Sequence, residues 1–255
     1  MKQITRREWL GRSSRTMAAA IGLPLLSGQA LGQNAGPPKT LKVVVAGAHP
    51  DDPESGCGGV IALYTGLGHQ VSIIYLTRGE AGIRGKSAQQ AAAIRTAEAQ
   101  KACAILKAKP VFAGQIDGDT EISPARYQDF ARILEAEQPD LVFTHWPIDT
   151  HRDHRAASLL VYDAWLAAHK KFDLYYFEVE QGAQTQLFHP THYVDITSTA
   201  ERKRAACFAH LSQQVEQWYP MHDKMNQFRG MESGYQLAEA FVRHCQNPHS
   251  GVPQL

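Results

Sequence analysis

The 255 residues carry 26 lysines and arginines against 25 aspartates and glutamates, a net charge of +1, with 44% apolar and 20% charged residues. That balance excludes binding to nucleic acid or to an anionic membrane through a basic tract. The length suits one sizeable α/β domain rather than several.

The chain begins with what reads as an address. Thr5-Arg6-Arg7-Glu8-Trp9-Leu10 resembles a twin-arginine export signal, Met17 to Leu26 is an apolar stretch too short to span a bilayer, and Ala30-Leu31-Gly32 supplies small residues for cleavage. Residues 1–32 are therefore expected to leave, and 33–255 to form a single exported, periplasmic domain with net charge −3. No later segment is long or apolar enough for stable membrane insertion. The cysteines, Cys57, Cys103, Cys207 and Cys245, include no C-x-x-C pair, which argues against a thiolate zinc site. A Cys207–Cys245 bridge is open to an exported chain, with buried free thiols the expected state.

Strands and helices then alternate. Leu41 to Ala48 is short, apolar and β-branched, the pattern of a buried parallel strand, and Gly58 to Gly66 follows as a short apolar helix. Val71–Leu76 is a second strand, Thr77–Lys86 a glycine-bearing loop, and Ser87–Lys107 an alanine-rich helix with Ser87 as N-cap. A strand over Pro110–Ala113 precedes a helix that opens at Ser123-Pro124 and stops before Pro139. Leu141–Thr144 and Leu174–Val179 are strands on either side of a helix over Asp153–His169. Thr191–Ile196 reads as another strand, Thr197–Gln217 as one helix and Leu237–Cys245 as another. The alternation predicts a Rossmann-like three-layer α/β fold with a mostly parallel sheet and its active site at the C-terminal edge of the strands.

Two polar clusters fall at that edge. His49-Pro50-Asp51-Asp52 follows the first strand and His151-Arg152-Asp153-His154 follows the fourth. A catalytic zinc takes three protein ligands and keeps one position open, a count that His49, Asp52 and His154 satisfy. Asp51 is then free to accept a proton from water. His151, one helical turn before His154, suits stabilisation of an oxyanion and protonation of a leaving amine. Asp149 and Asp153 suit orientation of the imidazoles from behind. Gly56-Cys57-Gly58-Gly59 lacks the G-x-G-x-x-G spacing of a phosphate cradle, so close packing of the helix start is its expected role. Glu80 is divided between ordering the active-site loop and lying on the surface.

The chain resembles the PIG-L/LmbE-like N-deacetylases, zinc enzymes that remove acetyl groups from N-acetylglucosamine-type substrates. The resemblance is carried by Ala48-His49-Pro50-Asp51-Asp52-Pro53-Glu54-Ser55-Gly56-Cys57-Gly58-Gly59 and His151-Arg152-Asp153-His154-Arg155, with weaker support from Leu76 to Gly82, Arg95 to Ala99, His210-Leu211-Ser212-Gln213 and Arg229-Gly230-Met231-Glu232. It implies His49, Asp52 and His154 as metal ligands, Asp51 as general base and His151 as the transition-state histidine. It further implies Arg95 and Asp117 as substrate contacts, and His210 as a pocket residue. Many members have glutamate directly after the second aspartate; here Pro53 intervenes, and Glu54 is read as the corresponding carboxylate behind the ligands. The metal is expected to be zinc, with Fe2+ or another divalent ion open to the same N/O donors. The substrate is expected to be a small molecule or glycan, with no nucleic acid.

The expected reaction is hydrolysis of an N-acetyl group to acetate and a free amine. Its alternatives are hydrolysis of another amide on the same fold, or sugar binding without catalysis. A dinucleotide-dependent oxidoreductase is disfavoured by the poor glycine spacing and by leaving the histidines and aspartates without a task.

Overall fold

The structure is a computed structural model that describes residues 39–255; the predicted export signal lies outside the described residues. Five parallel strands, β1 (Lys42–Gly47), β2 (Gln70–Tyr75), β3 (Lys109–Phe112), β4 (Leu141–His145) and β5 (Asp173–Phe177), are extended by antiparallel β6 (His192–Asp195) and β7 (Ala238–Arg243). The sheet order is β3-β2-β1-β4-β5-β7-β6. β1 is central, with Val43 in register with Val71 of β2 on one side and Leu141 of β4 on the other.

Because successive side chains of a strand face opposite ways, β1 feeds two cores. Val43 and Val45 pack with Cys57, Val60 and Ile61 of α1 (Asp52–Gly66) and with Ala99 and Cys103 of α2 (Ala88–Leu106). Val44 and Ala46 face Phe130 and Leu134 of α3 (Pro124–Glu137) and Leu160 and Trp165 of α4 (Arg152–Ala167). The crossovers from β1 through β3 thus use one face and those from β3 through β5 the other. The chain reverses between β1 and β4, and the crevice beyond their C-terminal ends is the topological switch point where such sheets hold ligands.

Local signals explain most helix boundaries. Ser87 caps α2 in a reciprocal capping box with Gln90, and Ser123 caps α3 ahead of Pro124. α1 starts at Asp52, six residues ahead of the expected Gly58, because Pro53 stands in its first turn, where a missing N–H costs nothing.

Two expectations in the C-terminal third are corrected. The single helix over Thr197–Gln217 is α5 (Ala200–Cys207), a 3-10 turn (Leu211–Gln213) and α6 (Val215–Ser233), broken at Gln214 by a left-handed backbone of φ 52°. The segment Leu237–Cys245 is the strand β7, not a helix: its helix-forming residues are overridden by pairing to β5 on one edge and β6 on the other. All four cysteines are free, Cys207 buried and Cys245 exposed, so no bridge joins them.

β7 also reaches into α1. The N–H groups of Gly59 and Val60 donate to the two carboxylate oxygens of Glu239, each at 2.9 Å. Lys203 of α5, 1% exposed, donates to the same carboxylate at 2.7 Å. Gly58 packs on Lys203 and Gly59 on Ile196, so side chains at either glycine would collide. The glycine run does leave backbone N–H groups open to an anion, but the anion is the chain's own Glu239. Lys203→Met strands that buried carboxylate, and is expected to lower stability by about 3–5 kcal/mol in denaturant unfolding.

Candidate metal centre

β1 ends at Gly47, and the next residues turn sharply: Asp51, ahead of α1, has φ 118°, a conformation rare for a non-glycine residue. The turn folds Asp52 back on His49, whose N–H donates to Asp52 Oδ2 at 2.7 Å. Both residues are buried. Beyond β4, His151 caps α4 by accepting the Asp153 N–H on Nδ1 at 3.2 Å, which fixes the ring and leaves Nε2 free. The loop before it is held by Asp149, which accepts the His151 N–H at 2.7 Å and the Thr185 hydroxyl at 3.0 Å.

The buried carboxylates set the imidazole tautomers. His49 Nε2 lies 3.2 Å from both Asp153 Oδ2 and Asp117 Oδ1, so this nitrogen carries the proton. Its Nδ1 lone pair then faces Asp52 Oδ2 at 3.1 Å. His154 Nδ1 lies 3.2 Å from Asp149 Oδ2, which turns the lone pair of Nε2 toward Asp52 Oδ1 at 3.3 Å. His49 Nδ1 and His154 Nε2 thus each meet a different oxygen of the Asp52 carboxylate; the expected trio of His49, Asp52 and His154 is not itself one of the groups whose ligand-capable atoms all lie within 4.8 Å of one another. Bonds of about 2.0–2.1 Å in a tetrahedron place ligand atoms about 3.3 Å apart, and the two nitrogen–carboxylate spacings are of that size. His49, Asp52 and His154 fit a metal, with Asp117, Asp153 and Asp149 orienting the rings.

His145, absent from the expected set, joins them. The structure brings ligand-capable atoms within 4.8 Å of one another in three groups: His49, His151 and His154; Asp52, His145 and His154; and His49, Asp117 and Asp153. His145 Nε2 accepts the Ala48 N–H at 3.1 Å, and its ring stacks on that of His154 at 4.1 Å between centroids. Burial and His154 hold its pKa down to about 4, so it is a neutral spacer. The only sequence signal for it was a histidine ending a buried strand.

The field here favours positive charge. Against the cost of burial, Asp52 and Asp149 raise the His154 pKa to about 9. Also against burial, His154, His145 and His49 hold the Asp52 carboxyl well below the usual range. Burial raises Asp51 to about 6, opposed by Arg95.

Arg95 is 3% exposed and donates to Asp51 Oδ2 at 2.8 Å and to the Pro50 carbonyl. One of its guanidinium nitrogens thereby holds Asp51 in place, while its Nε is buried without a partner among the described residues. Gly79 and Gly82 line its path, and a Cβ at either would strike it. Asp117 faces His49, and its N–H donates to Glu80 at 3.1 Å, so Glu80 orders this loop. Glu54 does not reach the ligands; it accepts the Tyr75 hydroxyl at 2.5 Å and lies 3.2 Å from buried His210. Trp146 and Trp218 donate to the carbonyls of Gln186 and Gln213, while Arg84 and His189 are exposed.

The family described as PIG-L, GlcNAc-PI de-N-acetylase, matches residues 44–165. A diacetylchitobiose deacetylase of Thermococcus kodakarensis is 32% identical over 217 residues, covering 78% of this chain and 81% of that protein. The N,N'-diacetylchitobiose deacetylase of Pyrococcus horikoshii, 25% identical, aligns with a TM-score of 0.72 over 82% of this chain and 88% of its own. A conserved protein of Thermus thermophilus, 29% identical, aligns with a TM-score of 0.70 over 84% of this chain and 99% of its own. The chain belongs to the PIG-L family of metal-dependent de-N-acetylases.

His145→Ala removes a ring packed behind His154 without removing one of the three facing donors. It is expected to weaken divalent-metal affinity about 10–100-fold, read by competition with a chromogenic chelator. Asp52→Ala is expected to abolish stoichiometric binding in the same assay.

Proposed function

We propose that the protein is a zinc-dependent hydrolase that removes the acetyl group from N-acetylglucosamine-type sugars. The observation that carries the reading is the approach of His49 Nδ1 and His154 Nε2 to the two oxygens of buried Asp52, at 3.1 and 3.3 Å, with Asp51, next to Asp52 in sequence, held by Arg95. The deacetylase relatives supply the substrate class. Nitrogen and carboxylate donors suit zinc, and Fe2+ fits the same set. When bound, the metal supplies Lewis acidity, polarising a carbonyl and acidifying water.

The chain's own groups have complementary tasks. Asp51 accepts the proton of the attacking water as its oxygen bonds to the acetamide carbon. Arg95 fixes the direction of that carboxylate. His151, with Nδ1 committed to the helix cap, points its Nε2–H at the developing oxyanion. The proton on Asp51 passes to the nitrogen as the C–N bond breaks, giving acetate and an amine.

Acetate release from N-acetylglucosamine and N,N'-diacetylchitobiose by zinc-loaded protein tests this directly. Asp51→Asn is expected to keep its metal and lose about 10²–10⁴ in kcat. No release from either sugar by metal-replete protein overturns the sugar reading, and full activity in Asp51→Asn overturns the assignment of the base.

We also propose that residues 1–32 direct twin-arginine export, on the strength of Arg6-Arg7 and the apolar stretch behind them. Mass spectrometry of the periplasmic protein is expected to find its N-terminus near residue 33. Processing that continues after both arginines are changed to lysine overturns that route.

A further inference from the structure

His210-Leu211-Ser212-Gln213, between α5 and α6, takes no part in the metal centre described above. Three of its side chains each reach a different element. Ser212 meets half-buried Glu98 of α2 twice: its N–H donates to Oε1 and its hydroxyl to Oε2, each at 2.7 Å. Gln213 donates from Nε2 to the Gly82 carbonyl, in the loop after β2, at 3.3 Å, and to the Ser212 hydroxyl at 2.9 Å. His210, fully buried, has its Nε2 3.2 Å from Oε1 of Glu54 in the first turn of α1. The turn is itself fastened, because Trp218 of α6 donates from Nε1 to the Gln213 carbonyl at 3.1 Å.

The three elements it reaches are the ones that place Asp51. The first turn of α1 follows Asp51 directly, and the Ser55 N–H donates to the Asp51 carbonyl at 2.9 Å. Helix α2 carries Arg95 one turn before Glu98, on the same face, and Arg95 Nη2 donates to Asp51 Oδ2 at 2.8 Å. The loop after β2 supplies Gly82, which lies against that guanidinium so closely that a Cβ would strike it. The Gly82 N–H donates to the Gly79 carbonyl at 3.1 Å, which closes the loop beside the arginine.

Among the described residues, Ser212 and Gln213 form no hydrogen bond or ion pair with Asp51 or with the proposed ligands; they act on the base through Glu98, Gly82 and Arg95. The Ser212–Glu98 contact is the firmest of the three. A carboxylate bonded at both oxygens is fixed in direction as well as in distance, and here it ties the turn to the helix that carries the arginine. Reaction geometry is sensitive to such support: a displacement of about 1 Å caused from far away costs on the order of 10²-fold in rate.

We propose that Ser212 and Glu98 are positioning residues of the hydrolysis: the turn after α5 clamps α2 and the loop after β2, so that Arg95 holds the Asp51 carboxylate toward the attacking water. The inference rests on the deacetylase reading, in which Asp51 is the base.

Two substitutions at Glu98 test it. Glu98→Ala removes both bonds, whereas Glu98→Gln keeps an acceptor for the Ser212 N–H and offers its amide to the hydroxyl. In zinc-loaded protein, Glu98→Ala is expected to lower kcat for acetate release about 10–100-fold, with KM and divalent-metal affinity within about twofold of wild type, and Glu98→Gln to recover most of the loss. Ser212→Ala, which loses only the hydroxyl bond, is expected to lower kcat in the same direction. Unchanged kcat in Glu98→Ala and Ser212→Ala, loss of metal together with activity, or no recovery in Glu98→Gln overturns the proposal. Hydrogen–deuterium exchange reads the clamp without reference to activity: backbone N–H groups of residues 79–82 are expected to exchange about 10-fold faster in Glu98→Ala than in wild type or Glu98→Gln. Equal exchange in all three overturns the clamp, whereas wild-type protein that releases no acetate overturns the sugar reading and leaves the exchange result to decide the clamp.

Discussion

Asp52, buried and within 3.4 Å of His49, His145 and His154, is the anion around which the open edge of the sheet is organised. It opens α1, so its position follows from where β1 stops and from the turn through Asp51. The imidazoles come from β1's loop, the end of β4 and the first turn of α4. A carboxylate removed from water at this point requires positive charge nearby, and two of the three imidazoles that meet it have a further carboxylate on their other side, while His145 Nδ1 is buried without a partner among the described residues. Asp117 and Asp153 settle His49, and Asp149 settles His154.

The same logic extends outward. Asp51 is backed by Arg95, and Arg95 reaches it because Gly79 and Gly82 leave room. A loop that reads as flexible glycine-rich connection is a sleeve for one guanidinium. Asp117 is placed by Ala81 and Glu80 from the loop after β2, which binds two strand ends into one wall of the site. Burial without such partners is costly for a charge, and this edge is consequently dense in mutual contacts.

Much of the parallel sheet was legible because buried parallel strands are continuous apolar runs, and β1, β2 and β4 are of that kind. β7 was not: Leu-Ala-Glu-Ala-Phe carries helix formers, and only its two sheet neighbours decide otherwise. The spacing of His49, Asp51, Asp52 and His154 drew attention to them as a group, since one strand end supplies the first three and one helix start the last. His145 escaped because a histidine closing an apolar strand has no distinguishing pattern. The partners of Arg95 and Glu54 depend on contacts across 44 and 21 residues, which no local pattern encodes.

The Glu239 carboxylate lies 180 residues along the chain from the Gly59 N–H it accepts. During synthesis, α1 emerges long before β7. Until Glu239 leaves the ribosome, two N–H groups of the ligand-bearing helix lack their acceptor and Lys203 lacks its counter-charge. Helix α1 and the strand β7 are therefore completed together. A polypeptide clipped ahead of Ala238 retains every proposed ligand yet has an unfinished helix beneath them, so a site specified just after β1 depends on a strand encoded far downstream.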